Sequence, residues 1–138
     1  MKKIVLIIAI VLCSCHQGYS QVPDSVRYLR QIVANKALYI NHPFSKLEDS
    51  LAISIKGFLP TTPIHNINVE KDVIFRFAYS SNPEDMIYSY PWLIVVWETM
   101  PVIQNSYRFF YQDNRGKYSP AVSKYYRPFI IKDIYLIE

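Results

Sequence analysis

The hydrophobic period of this chain changes near Ile53, and that change governs what it can fold into. Ahead of it, Val26, Leu29, Ile32, Val33, Ala37 and Ile40 recur at steps of three and four. This places them on one face of an α-helix and leaves Arg27, Arg30, Gln31 and Lys36 largely off it. Asp24 or Ser25 supplies a side-chain oxygen to the free N–H groups at the helix start. Asn41-His42-Pro43 ends the helix, because Pro43 has no N–H and disfavours helical geometry at His42. Ser45 and Glu48 have the spacing of a capping box, so a second, short helix is predicted from about Lys46 to Ala52, with Leu47 and Leu51 turned inward.

Beyond Ile53 the period is two. Ile53, Ile55 and Phe58 predict a strand that stops at Pro60-Thr61-Thr62-Pro63. Val73, Phe75, Phe77 and Tyr79 alternate with Ile74, Arg76 and Ala78, giving a strand with one strongly apolar face. Ser80 to Asp85 is a polar turn, and Tyr88 to Trp97 reads as a central strand covered on both faces, interrupted only at Pro91. Tyr107, Phe109 and Tyr111 alternate ahead of Asp113-Asn114-Arg115-Gly116, a hairpin-type turn with Gly116 at positive φ. The partner strand is expected near Lys117, with a helical turn or an irregular edge over Ser119 to Arg127, and a last strand spans Phe129 to Ile137. The expectation is an α+β fold in which two N-terminal helices pack on one face of a mostly antiparallel sheet of about five strands.

Residues 1–20 stand apart from this pattern. Lys2 and Lys3 precede an unbroken apolar run from Ile4 to Leu12 and then Cys13-Ser14-Cys15, which has the layout of a cleavable export signal. As a helix the run covers roughly 14 Å against a hydrocarbon core of about 30 Å, so it is too short to span a bilayer. The four residues Leu12-Cys13-Ser14-Cys15 resemble the lipobox of bacterial lipoproteins, departing from it at Cys13, where Ala, Ser, Thr or Val is commoner. The resemblance implies a lipid on Cys15 and a mature protein anchored to an envelope membrane, facing the periplasm or at the outer membrane. Gly18 and Ser20 also meet the small-residue requirement of ordinary signal-peptidase cleavage, which leaves Gln21 as the N-terminus of a secreted or periplasmic soluble protein. On either reading residues 21–138 form a single domain.

That domain has no cysteine, so it relies on its hydrophobic core where many small exported domains use disulfides. Eleven of the chain's twelve Tyr, with seven Phe and two Trp, supply the bulk and exclude disorder. Removing Lys2 and Lys3 from 15 basic and 11 acidic side chains leaves 13 against 11, with no basic cluster of the kind that neutralises phosphates. Nucleic acid is therefore not an expected partner. Nor is a cofactor or a metal: the three glycines lie far apart, and His42 and His65 each stand alone.

Two sets of residues remain as candidates for function. Glu98 follows the apolar Trp92 to Trp97 run, where partial burial raises a carboxyl pKa and suits acid-base work, although a salt bridge to Arg76 or Arg108 explains it as well. Twelve tyrosines are more than one small core needs, and Tyr88, Tyr90, Trp92, Tyr107 and Tyr111 form a candidate binding surface. The leading expectation is a non-enzymatic envelope module, lipid-anchored through Cys15, that binds an envelope protein or glycan. The alternatives are a small inhibitor or immunity-like protein, and a hydrolase using Glu98 with His42 or His65. In element order alone the chain is similar to outer-membrane assembly lipoproteins and to inhibitor proteins of β-lactamases, a likeness that implies no function.

Overall fold

The computed structural model describes residues 24–78 and 91–138. The export signal, Cys15, Tyr79 to Asp85, Tyr88 and Tyr90 lie outside them. Asp24 starts helix α1 (Ser25–Ala34), its carboxylate accepting from the N–H groups of Val26 at 3.1 Å and Arg27 at 3.4 Å. Leu29 and Ile32 form the buried face, as their spacing predicts. The helix stops six residues short of Ile40. Asn35 donates both its backbone and its side-chain N–H to the Gln31 carbonyl, a single 3₁₀ turn follows over Lys36–Leu38, and Asn41 takes a left-handed φ of 63°. Tyr39 turns inward in place of Ala37.

Helix α2 (Phe44–Ser50) begins at Pro43 with no side-chain cap, so the capping box expected of Ser45 and Glu48 does not form. The Glu48 carboxylate instead accepts charge-assisted bonds from groups on a later helix, which are stronger than the local alternative. Phe44 and Leu47 are fully buried and Leu51 half-buried.

Four antiparallel strands follow in the order β1 (Gly57–Thr61), β2 (Asp72–Arg76), β3 (Trp92–Trp97) and β4 (Ile131–Ile137), which is also their order across the sheet. Pro60 lies within β1 and does not end it, because an edge strand tolerates a residue that cannot donate to the ladder. The outer side of that edge is occupied by the loop at 116–118: Phe58 donates to the Gly116 carbonyl at 3.0 Å, and Tyr118 to that of Lys56 at 3.0 Å. Phe58, Val73, Phe75, Leu93, Val95, Trp97, Ile131 and Ile134 share one buried face. On the other face of β3, Trp92, Ile94 and Val96 are half-buried.

The segment read as a strand over Tyr107–Tyr111 is helical. Helix α3 (Ile103–Tyr107) runs into a wider π-type turn over Arg108–Asp113. Ile103, Ser106, Phe109 and Phe110 face inward, a helical period hidden by the alternation of Tyr107, Phe109 and Tyr111. Gly116 has the expected positive φ, 72°, but Lys117 makes only an isolated bridge to Gly57. The described sheet therefore has four strands and not about five. Ser119 caps helix α4 (Pro120–Tyr126) with Pro120 in its first turn, a sequence arrangement that suits a helix start.

The core is largely aromatic. Phe44 stacks on Phe75 at 4.8 Å and meets Trp97 edge-on at 5.8 Å, while Tyr126 stacks on Trp97 at 5.5 Å and meets Phe75 edge-on at 5.8 Å. Helices α2 and α4 thus cover the same sheet face. Helix α1 lies against β4 at the far edge, with Arg30 paired to Glu138 and Lys36 to Asp133 at 2.6 Å. No helix among the described residues is long and apolar enough to cross a membrane.

Candidate functional site

Helix α3 and its π-type continuation pack along β1, so the residues turned away from the core form a helical surface at that edge. Tyr107 and Tyr111, one helical turn apart, stack at 5.3 Å with their rings 24° from parallel, and they remain 37% and 61% exposed. Gln104, Asn105, Arg108 and Gln112 line a shallow hollow around them. Arg108 pairs with Asp113 at 3.6 Å. The result is a small aromatic patch ringed by planar amide and guanidinium groups, all held on regular backbone.

The other described member of the predicted aromatic set does not join it. Trp92 starts β3 on the sheet face opposite the core, in register with Arg76 and Ile137. The structure thus brings Tyr107 and Tyr111 together and separates Trp92 from them.

Glu98 is exposed, because β3 ends at Trp97 and the chain turns outward there. Its backbone N–H donates to the Ile130 carbonyl at 2.9 Å, and Ile131 donates to the carbonyl of His42 at 3.0 Å, so Glu98 and His42 flank the same short stretch. Both side chains are exposed, as is His65, and among the described residues no hydrogen bond or ion pair joins Glu98 to either histidine. Those polar groups do not converge in a cleft.

The carboxylate that the structure buries is Glu70. Its accessible surface is 0%, and its backbone N–H donates to the Pro101 carbonyl at 2.8 Å. The Trp97 indole N–H donates to Oε1 at 2.8 Å, and the hydroxyls of Ser106 and Tyr126, the latter at 3.2 Å, donate to Oε2. Ser106 Oγ is in turn 3.1 Å from the Tyr125 hydroxyl. No cation pairs with Glu70 among the described residues. Burial pushes its carboxyl up to about 7; the three hydrogen bonds oppose that rise without cancelling it, and the charge of Asp72 adds to it. Burial likewise pushes the Tyr126 hydroxyl well above its ordinary value, so that ring stays neutral. This group joins the segment before β2 to β3, α3 and α4, with Glu70, Ser106 and Tyr126 fully buried.

A second carboxylate cluster lies nearer the surface. Glu48 accepts from the Tyr118 and Ser123 hydroxyls, both at 2.7 Å, and from Arg127 at 2.8 Å, while Arg127 also bonds both oxygens of Asp49. Burial, and then the Glu48 carboxylate, hold the Tyr118 hydroxyl far above its ordinary range. It clamps α2 to α4 and presents no reacting group. No set of three His, Cys, Asp or Glu side chains able to hold a metal occurs among the described residues.

The chain matches no protein-family model, and no curated protein or solved structure is detectably similar to it.

Proposed function

We propose that this protein is an exported, lipid-tethered binding module that contacts a protein partner through the surface carrying Tyr107 and Tyr111. The tether is the part read from the leader, with the lipid on Cys15. The observation that carries the binding reading is the exposed tyrosine stack. Large aromatic rings normally go to the core of a domain that lacks disulfides, and here two of them are held outside it, beside Arg108. Tyr and Arg are among the side chains that most often anchor protein interfaces: Tyr buries a large area for two rotatable bonds, and Arg adds a planar guanidinium with five donors. The mutual stack favours a protein over a glycan, because each ring covers a face of the other and leaves no flat two-ring platform for a sugar.

Capture experiments with the intact, membrane-extracted protein test this. A Tyr107→Ala, Tyr111→Ala double variant should keep the wild-type circular dichroism and lose the wild-type partner, with affinity down about 30-fold or more, the scale of losing hot-spot side chains. Unchanged capture by a folded double variant would exclude this surface.

A further inference from the structure

The buried Glu70 cluster belongs to neither the tyrosine surface nor the α2–α4 clamp. We infer that Glu70 is a proton-operated latch on helix α3: protonated, it fastens Ser106 of α3 to Trp97 of β3 and Tyr126 of α4, and ionised it loosens that helix. The geometry supports this in three ways. The carboxyl is wholly removed from solvent, its three side-chain partners are neutral donors, and no described cation offsets a negative charge there. A buried charge with only neutral partners is costly, so ionisation favours any opening that admits water.

The hydrogen bonds supply a route for the proton. In the neutral acid, the Glu70 hydroxyl donates to Ser106 Oγ, and the Ser106 hydroxyl then donates to Tyr125, whose ring is half-buried. In the anion both links reverse, with Ser106 donating to Glu70. The chain Glu70–Ser106–Tyr125 thus leads from the dry site toward the surface. Ser106 is the side chain of α3 in the network; the five-residue helix is otherwise held by buried Ile103, whose N–H donates to the Asn68 carbonyl at 3.1 Å.

The surrounding charges reinforce the effect. Asp72 is the charged group that acts on Glu70, and it raises the carboxyl further; Lys71, which lies 3.9 Å from Asp72, is half-exposed. Tyr125 and Tyr126, on α4, are both shifted upward and stay neutral through the physiological range. Glu98, after β3, is exposed, and Arg108, after α3, pairs with Asp113. The sign follows from a folded value of about 7 against an ordinary 4.5. The stabilisation is complete below 4.5 and is lost as pH rises toward 7, the unfolding constant growing about tenfold per pH unit inside that window.

The test compares the wild type with Glu70→Gln, whose amide imitates the neutral acid. Infrared titration of the full protein should show a protonated-carboxyl carbonyl band that disappears with a midpoint near 7 and is missing from the variant. Hydrogen exchange at the amides of residues 103–107 should accelerate across the same midpoint in the wild type only. From pH 5 to 7 the wild type should lose about 40-fold in folding constant relative to Glu70→Gln. A band that titrates near 4.5, or an identical exchange profile in the variant, would overturn the latch. If the variant does not fold, the wild-type exchange protection of residues 103–107 decides: a fall with a midpoint near 7 supports the latch, and protection that does not change across that range overturns it. Neither readout involves the binding partner, so the latch and the tyrosine surface fail separately.

Discussion

Phe44 shows at the scale of a residue how this domain does without disulfides. Its ring lies between Phe75 and Trp97, one contact stacked and the other edge-on, and it is fully buried at the start of a seven-residue helix too short to persist alone. Phe44→Ala should therefore remove about 3–5 kcal/mol, read as a lower urea midpoint, because the surrounding rings cannot collapse into the space. The sequence points to a carboxylate near an apolar run and selects Glu98. The buried one is Glu70, which sits in Val69-Glu70-Lys71-Asp72 and reads as a solvated charged loop. Its environment is built from Trp97, Ser106 and Tyr126, which are 27, 36 and 56 residues away. No local pattern reports contacts at that separation.

At the scale of elements, the segment from Ile103 to Gly116 carries both what was legible and what was not. The turn could be read because positive φ needs a glycine, and Gly116 has it. The helix could not, because the aromatics Tyr107, Phe109 and Tyr111 at every second place imitate a strand while the inward residues Ile103, Ser106 and Phe110 keep helical spacing. The same competition explains the missing capping box: Ser45 and Glu48 satisfy the motif, but Arg127, Tyr118 and Ser123 offer Glu48 more than the helix start does. Strand β2 is readable because one buried face imposes alternation, and β3 because of its continuous β-branched and aromatic run, although only one of its faces is fully buried. Gly116 holds this segment against the sheet, its N–H donating to the Phe110 carbonyl and its own carbonyl accepting from Phe58. An added Cβ would meet the Phe110 ring at 3.0 Å on top of the strain of a left-handed φ. Gly116→Ala should accordingly cost about 1–2 kcal/mol, measured as a lower denaturant midpoint with an unchanged slope.

For the whole molecule, the order of the strands separates the two ends of the proposed function. Helix α1, whose start leads back toward the leader, packs on β4, and the segment bearing Tyr107 and Tyr111 packs on β1. Three strand spacings, roughly 14 Å, lie between those edges. Residues 24–138 contain no cysteine that could tie an anchor on Cys15 to the core. On the proposed tether, anchoring and folding are expected to be separable. Cys15→Ser should move the protein from the membrane to the soluble fraction, since without acylation the apolar attachment is lost. Its denaturant midpoint should stay within about 0.5 kcal/mol of the wild type, as for a change outside the core. Retention of the variant in the membrane would refute the lipid tether, and a shifted midpoint would show that the leader region contributes to the core. Partner affinity in detergent should be the same for both proteins, because the tyrosines are held by β1, Gly116 and the packing of α3.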